Sequence, residues 1–382
     1  MDIRPAPPPT SDAPPLSRVT GTGPGPYHHV PMPPAEVGGE GRWWHRLLLG
    51  LIGLGCFATA LGTMKVGAAA LIPTLEGSIF TDHAWSALGV GWLGACILLS
   101  GSPVAASSLT LLDGGALDRS ESFAMLTGSR LGASFVVLAV GVLYAARRDA
   151  GRRAPLSIGV YSLTITAVAY LPGAALGWWL LTSGRLDSID LAASPDIVSV
   201  TDTLFGWLPD LLERALPEWT LFPVGVAILL VAFACVDRAL PTIGSDRFSG
   251  SRLSSTWVMF GLGCLVAFLT LSVSMALTLL VPLVANGYLK REDTIPYIAG
   301  ANITTLADTL VAAVILGNAD AVRVVLAEVI GVGVVTVLLL AIAYPMVRSA
   351  SIAWARLVLH RPRNLGAFVV ALLLAPVALI VL

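Results

Sequence analysis

The sequence predicts an all-α polytopic membrane protein built from two inverted-topology repeats, each with a re-entrant hairpin and a broken crossing helix. Hydrophobic residues make up 55% of the 382-residue chain and charged residues 12%, a composition that does not fit a soluble domain with one core. Apolar stretches recur at the length needed to span a bilayer. Residues 88–143 also match residues 260–315 at a constant offset of 172, with 14 identities in 56 positions.

The N-terminal segment differs from the rest of the chain. Its first 40 residues hold 11 of the 25 prolines and no apolar run. Such a composition cannot bury enough apolar surface to fold, so residues 1–41 are predicted to be a disordered, Pro-rich cytoplasmic tail. The tail is either a solvated extension or a docking site for a partner that binds proline motifs.

Five apolar stretches flank the duplicated segments and have the length of a crossing helix. They cover residues 46–72, 155–182, 220–240, 320–345 and 366–382. The predicted organisation is transmembrane repeat 1 at 46–182, an extracellular acidic loop at 183–219, transmembrane repeat 2 at 220–345, and a basic cytoplasmic loop with the last transmembrane helix at 346–382.

Glycines and polar residues are shared by the two duplicated segments and interrupt their apolar character. Interruptions at membrane depth are tolerated only where the freed backbone groups face protein or water. Each segment is therefore predicted to be a re-entrant hairpin followed by a broken crossing helix, an arrangement typical of transporter cores. The shared residues are Gly89/Gly261, Gly91/Gly263, Ser100/Ser272, Ser102/Ser274, Gly115/Gly287, Arg119/Arg291 and Gly128/Gly300.

Loop charges predict the orientation of the spans. The arginine clusters at 147–153 and 348–363 face at most one acidic residue, which indicates cytoplasmic loops. Residues 183–219 hold two arginines against seven acidic residues and are predicted to lie outside. The chain is then a multi-pass plasma-membrane protein with a cytoplasmic N-terminus, and its two repeats have opposite orientations.

The second copy concentrates neutral oxygen ligands. Hydroxyls at Ser272, Ser274, Thr304 and Thr305 and the amide of Asn302 lie beside the predicted breaks, and a sodium ion accepts such ligands. Helix N-termini at the same breaks favour an anion. The alternative is that these hydroxyls bond to their own helix carbonyls, or that small residues allow close packing.

At these positions the chain resembles the sodium-dependent phosphate cotransporter family, whose inverted repeats each have a QSSS motif and a later GANIGT-like motif. LSVS at 271–274 stands where the family has QSSS, and GANITT at 300–305 matches the second motif at the family's spacing. LSGS at 99–102 and GSRLGAS at 128–134 occupy the same places in the first copy. The resemblance covers residues 46–345 and implies sodium:phosphate symport, with both ions bound at the midplane between the repeats.

The chain departs from the family inside these motifs. Leu99 and Leu271 replace both glutamines, and Gly101 and Val273 replace the middle serines. Arg130 stands where the first-copy motif would have asparagine. These replacements remove two amides and two hydroxyls from the set of ligands that the resemblance implies.

Charged residues within the apolar segments are candidates for function, because a charge at membrane depth needs a partner. Arg130 could bind an oxyanion through two donors, or form a structural pair with Asp113, Asp308 or Glu328. Asp308 and Glu328 are possible groups for cation or proton coupling. A buried structural pair is the alternative for Asp308.

No enzyme is predicted, because the sequence contains no HExxH motif, no phosphate-binding Gly-Lys-Ser/Thr loop and no Cys/His metal spacing. The predicted function is secondary active transport of an inorganic anion, with phosphate or a related oxyanion as substrate, sodium as the coupling ion, the lipid bilayer as its environment, and neither cofactor nor nucleic acid. The alternatives are a proton-coupled or uncoupled oxyanion carrier and a non-transporting membrane scaffold. The predicted binding residues are Ser100, Ser102, Arg130, Ser272, Ser274, Asn302, Thr304 and Thr305.

Overall fold

The computed structural model describes residues 43–75, 83–147, 153–189, 206–239, 255–270, 273–285 and 289–382. These residues form helices and turns, with no strand among them. Seven helical segments within them are long and apolar enough to cross a membrane. The prediction of an all-α, multi-pass membrane protein is therefore confirmed. The predicted tail at 1–41 lies outside the described residues.

The described residues between 43 and 182 form six helices. They are α1 (Trp43–Leu75), α2 (Ala84–Leu98), α3 (Ser102–Asp113), α4 (Arg119–Ala133), α5 (Phe135–Arg147) and α6 (Arg153–Thr182). At about 1.5 Å per residue, α2 and α3 reach about 22 Å and 18 Å, less than the roughly 30 Å of a bilayer core. Neither helix of this hairpin is long enough to cross on its own.

The second half repeats this arrangement after a short helix. Its helices are α7 (Trp207–Ala215), α8 (Glu218–Ala239), α9 (Thr256–Thr270), α10 (Val273–Thr278), α11 (Leu280–Ala285), α12 (Thr294–Thr304), α13 (Leu306–Leu316), α14 (Ala319–Ile342), α15 (Tyr344–His360) and α16 (Pro362–Val381). A 3₁₀ turn, Arg291–Asp293, precedes α12. The first residue of α9 lies 172 positions after the first residue of α2, and the same holds for their last residues. The sequence duplication therefore includes the bounds of this helix.

Local chemistry explains where the first hairpin bends and where α4 begins. Leu99 has a left-handed backbone, with φ of 52°, and Pro103 suits the first turn of α3. Asp118 accepts a hydrogen bond from the Glu121 amide at 2.7 Å, and the Glu121 carboxylate accepts one from the Asp118 amide at 2.8 Å. This reciprocal cap satisfies two amides at the start of α4.

Glycines hold the crossing helix of each repeat against its hairpin. A β-carbon on Gly128 would overlap the carbonyl oxygen of Leu88, and one on Gly300 would overlap that of Phe260. A second pair of contacts also recurs at the offset of 172, between Gly91 and Met125 and between Gly263 and Tyr297. Two of the shared glycine pairs, Gly91/Gly263 and Gly128/Gly300, are thus the residues that let α2 approach α4, and α9 approach α12.

Helices that occupy equivalent places in the two repeats pack against each other in antiparallel directions. Along α1 and α8, Gly53 lies beside Val236, whereas Gly67 lies beside Phe222. Along α6 and α14, Gly173 lies beside Val332 and Gly177 lies beside Ala327. In both pairs the residue number rises on one helix as it falls on the other.

Ion pairs lie near both ends of α6. Beyond its C-terminus, Asp187 contacts Arg119 at 3.3 Å, and Arg119 contacts Asp320 at 2.7 Å. Near its N-terminal part, Tyr161 lies within electrostatic range of Arg291, Glu292, Arg348 and Arg356, and Glu292 pairs with Arg348. The equivalent residues Arg119 and Arg291 therefore lie towards opposite ends of α6.

Two segments predicted as loops contain helices. Residues 207–215 of the predicted acidic loop form α7, which packs on α1 where Pro209 meets Gly62. The basic loop expected from residue 346 is largely α15, whose buried Ser351, Ala355 and Val358 face the protein. Arginines on the exposed side of an amphipathic helix gave this segment the composition of a loop.

Candidate functional site

Both crossing helices are interrupted at equivalent places. α4 ends at Ala133 and α5 resumes at Phe135, while α12 ends at Thr304 and α13 resumes at Leu306. Carbonyl groups beside the interruptions receive side-chain donors: Tyr170 donates to the Asn302 oxygen at 2.7 Å, and the Thr304 hydroxyl donates to the Gly300 oxygen at 2.8 Å. The bond from Tyr170 reaches the interruption from another helix, whereas the bond from Thr304 stays within its own helix.

A buried ion pair joins the two interruptions. Arg130, in the last turn of α4, lies 3.3 Å from Asp308, in the first turn of α13. Thr309 links them, since its hydroxyl accepts a hydrogen bond from Arg130 and donates to Asp308 at 2.9 Å. The side chains of Arg130 and Asp308 are 3% and 5% exposed. Each charge also lies at the helix end whose dipole favours it.

Glu328, on α14, adds a second carboxylate to this cluster. Its side chain is fully buried, and neither carboxylate oxygen accepts a hydrogen bond of normal geometry from the described residues. The groups that interact electrostatically with its carboxylate are the Arg130 guanidinium and the Thr127 hydroxyl. The Thr127 hydroxyl donates its hydrogen bond to the Phe123 carbonyl, at 2.9 Å. We refer to Arg130, Asp308, Thr309 and Glu328 as the charged cluster.

A neutral hydrogen-bond network lies beside the charged cluster. The Asn302 amide donates to the Thr166 hydroxyl at 2.9 Å, and Thr166 lies 2.6 Å from the hydroxyl of Ser134. Thr305 donates to the Asn302 carbonyl at 2.9 Å, the same oxygen that accepts from Tyr170. This network connects α4, α6 and α12 across the two repeats.

The structure brings together only some of the predicted binding residues. Arg130, Asn302 and Thr305 lie in or beside the charged cluster. The hydroxyls of Thr304 and Thr305 both donate to carbonyls of their own helix, those of Gly300 and Asn302, which is the alternative to ion binding that the sequence left open for them.

The hairpin serines have different positions. Ser100 and Ser102 flank Gly101, where a β-carbon would lie 2.8 Å from the Ser129 carbonyl, so this bend abuts α4 one residue before Arg130. Ser272 and the side chain of Ser274 lie outside the described residues.

Of the three acidic residues predicted as possible partners of Arg130, Asp308 is the one in direct contact with it. Asp308 pairs with Arg130, whereas Asp113 pairs with Lys65 at 2.8 Å and accepts from Asn318 at 2.8 Å. The Arg130 Nε nitrogen is buried and has no acceptor among the described residues. The guanidinium thus keeps one donor that could bind an oxygen of an anion.

Sequence reasoning did not select four residues of this region: Ser134, Thr166, Tyr170 and Thr309. Thr309 follows Asp308 directly, so a turn-by-turn search around each buried charge would have found it. Tyr170 lies in α6, a mainly apolar span, and the hydroxyl groups of that span were the available signal. Ser134 closes the GSRLGAS motif, but its partner Thr166 is distant in sequence.

The fold and this buried polar centre define a multi-pass, all-α membrane protein with a charged cluster at the breaks of its crossing helices. No protein-family model matches the chain, and neither a curated protein nor a solved structure matches it. The likeness to sodium-dependent phosphate cotransporters therefore depends on the motifs at 99–102, 128–134, 271–274 and 300–305.

Proposed function

We propose that the protein is a secondary active transporter of a small inorganic oxyanion, with Arg130 as the anion-binding group. The observation that supports this most directly is a buried guanidinium at a helix interruption, held by one carboxylate and keeping a free Nε donor. Phosphate as substrate and sodium as coupling ion are the choices that the motif resemblance favours. An arginine at membrane depth provides the fixed positive charge that an anion needs there.

The two repeats are proposed to have inverted topology and to provide alternating access by moving against each other. The antiparallel packing of α1 with α8 and of α6 with α14 supports this proposal. The separation of Arg119 and Arg291 towards opposite ends of α6 supports it independently. Arg130 belongs to repeat 1, whereas Asp308 and Glu328 belong to repeat 2, so relative motion would open the charged cluster.

The orientation follows from the distribution of arginines. α15 and the residues after it have exposed Arg356, Arg361 and Arg363, and Arg348 lies near the same end of α6 as Arg291. This end is proposed to face the cytoplasm of a plasma-membrane protein with its N-terminus inside. The end with Arg119, Asp187 and Asp320 would then face outward.

Transport is tested with the purified full chain in proteoliposomes. Radiolabelled phosphate uptake is measured under an inward sodium gradient, an inward proton gradient, or choline alone. Arg130→Lys keeps the charge but loses the planar fork, so uptake should fall about tenfold or more, the loss expected for one charge-assisted hydrogen bond. Gly333→Ala is the control, because nothing lies within 4 Å of a β-carbon there.

Each outcome of this assay has a defined meaning. Saturable uptake that falls in Arg130→Lys and persists in Gly333→Ala supports the anion carrier, and the gradient that drives it identifies the coupling ion. Uptake that is insensitive to Arg130→Lys contradicts the assigned site. No uptake by folded protein under any gradient contradicts the transport proposal and favours the scaffold alternative.

Inversion is tested by labelling from the two sides of the membrane. Arg119→Cys and Arg291→Cys are introduced separately into a chain without its four native cysteines, and intact cells are treated with a membrane-impermeant thiol reagent. Both positions are at least partly exposed. Only Arg119→Cys should react before permeabilisation. Reaction of both variants from the same side would rule out the inverted arrangement.

A further inference from the structure

Glu328 is a buried acid beside the proposed anion site, and anion binding by Arg130 does not require it. Its carboxylate is completely buried and lacks hydrogen bonds of normal geometry to the described residues. A buried carboxylate can remain charged only with strong compensation, since removing a charge from water carries a large free-energy penalty. The positive charge of Arg130 is the available compensation, and Asp308 already contacts it.

Among the described residues, the elements packed against α14 add no other positive charge beside Glu328. The charged and titratable groups near this region are Arg130 from α4, Tyr170 from α6 and Asp308 from α13. The uncharged groups there are Thr127 from α4, Asn302 from α12, and Thr305, which follows α12. Charges farther along these helices have their own partners: Asp113 pairs with Lys65, Arg323 with Asp320, and Arg348 with Glu292. One arginine therefore faces two carboxylates.

We propose that Glu328 binds a proton that moves with the anion held by Arg130, a proposal that rests on the anion-carrier function. With Glu328 ionised and no anion bound, Arg130, Asp308 and Glu328 together have one net negative charge. With Glu328 protonated and a monovalent anion bound, their sum with the anion is the same. The proton enters from water on one side and returns to water on the other, so the cluster crosses between states without a change in net charge.

Asp308 has a different role, that of a fixed counter-ion. Its Oδ1 atom accepts hydrogen bonds from Arg130 at 3.3 Å and from Thr309 at 2.9 Å, and it lies in the first turn of α13. These contacts make Asp308 the direct acidic partner of the guanidinium. Asp308 pairs with the Arg130 guanidinium when no anion is bound, and a bound anion competes with Asp308 for that guanidinium.

The proton site can be detected without substrate. Infrared difference spectra of the purified full chain are recorded between mildly acidic and mildly alkaline pH. The wild type should show the C=O band of a protonated carboxyl group that disappears on alkalinisation. Glu328→Gln should lack this band, whereas Asp308→Asn and Thr336→Val should retain it. A titrating band that persists in Glu328→Gln, or no titrating band in the wild type, contradicts the assignment.

Coupling is then measured in sodium-free proteoliposomes by two assays on the same preparations. Phosphate exchange at equal pH reports anion binding and translocation, and accumulation under an inward proton gradient reports coupling. Glu328→Gln should lose accumulation, and its exchange should no longer depend on pH between mildly acidic and mildly alkaline conditions, whereas exchange by the wild type should change with pH. Thr336→Val is the matched control, because Thr336 is a buried α14 residue whose hydroxyl also has no hydrogen-bond partner among the described residues.

The two assays separate failure of the inference from failure of the transport proposal. Absence of exchange in the wild type contradicts the carrier function itself. Exchange without proton-driven accumulation in the wild type leaves the carrier intact and rejects proton coupling. Proton-driven accumulation that persists in Glu328→Gln shows that Glu328 is not the proton carrier, and a loss confined to Asp308→Asn would assign the proton to Asp308 instead.

Discussion

The interruption between α4 and α5 and the one between α12 and α13 are two copies of one structure with different chemistry. Gly128 and Gly300 make the same contact with the hairpin of their own repeat. Two residues later, repeat 1 has Arg130, whereas repeat 2 has Asn302. Arg130 pairs with a carboxylate, and Asn302 donates to a neutral hydroxyl. The copies thus share what helix packing requires and differ in the group that faces the centre.

This difference produces one charged cluster assembled from both repeats. Repeat 1 supplies the cation, Arg130, and repeat 2 supplies both acids, Asp308 and Glu328. If both copies had arginine, two buried cations would compete for the same carboxylates, and like charges at close range in a low dielectric repel strongly. Under the proposed anion-carrier function, a single cation at the centre provides one anion site between the two halves.

The largest predicted effect comes from removing the charge in one copy. Arg130→Gln leaves Asp308 and Glu328 without their cation, so the free energy of unfolding should fall by about 3–5 kcal/mol. Asn302→Ala, the equivalent change in repeat 2, loses one neutral hydrogen bond and should cost about 1 kcal/mol. Thermal unfolding of the detergent-solubilised protein, followed by tryptophan fluorescence, measures both.

A double variant checks the cause of that loss. Arg130→Gln combined with Asp308→Asn removes both members of the pair, and it should be more stable than Arg130→Gln alone. Equal losses in Arg130→Gln and Asn302→Ala would mean that the two interruptions are energetically equivalent, and the distinction between the copies would not hold.

The next prediction concerns what the copies share. Gly128→Ala and Gly300→Ala each place a β-carbon against a backbone carbonyl, and each should lower the free energy of unfolding by about 2–3 kcal/mol. Gly333→Ala, in open space on α14, should be neutral or slightly stabilising in the same unfolding assay. A tolerated substitution in only one copy would show that the helix contacts are not equivalent.

The shared packing was predictable from the sequence, whereas the pairing of charges was not. The constant offset and the duplicated glycines predicted two equivalent segments, and the contacts of Gly128 and Gly300 with their hairpins recur at that offset because close helix approach requires glycine at fixed positions. Three acids were possible partners for Arg130, and the choice of Asp308 depends on how the two repeats pack. Tyr170 gave no duplicated signal, since the residue 172 positions later is Ile342.

A smaller effect tests an asymmetry outside the centre. Gly89 and Gly261 are equivalent, but a β-carbon on Gly89 would lie 2.5 Å from the Pro376 carbonyl of α16, and nothing lies within 4 Å of one on Gly261. Gly89→Ala should therefore destabilise the protein by about 1–2 kcal/mol. Gly261→Ala should have no destabilising effect in the same unfolding assay. Equal effects of the two substitutions would contradict the prediction that α16 packs against the first hairpin and not against the second.

The smallest effect concerns one hydrogen bond that joins the repeats. Tyr170→Phe removes the bond from α6 to the Asn302 carbonyl, which keeps its bond from Thr305, so the loss should be about 1 kcal/mol. Tyr297→Phe is the matched control, because Tyr297 is also buried and donates to the Ala276 carbonyl at 3.1 Å, but within repeat 2. Both variants should unfold with similar losses, whereas only Tyr170→Phe should change the rate of phosphate uptake. An equal change in uptake for both would indicate that a bond between the repeats has no greater influence on their relative motion than a bond inside one of them.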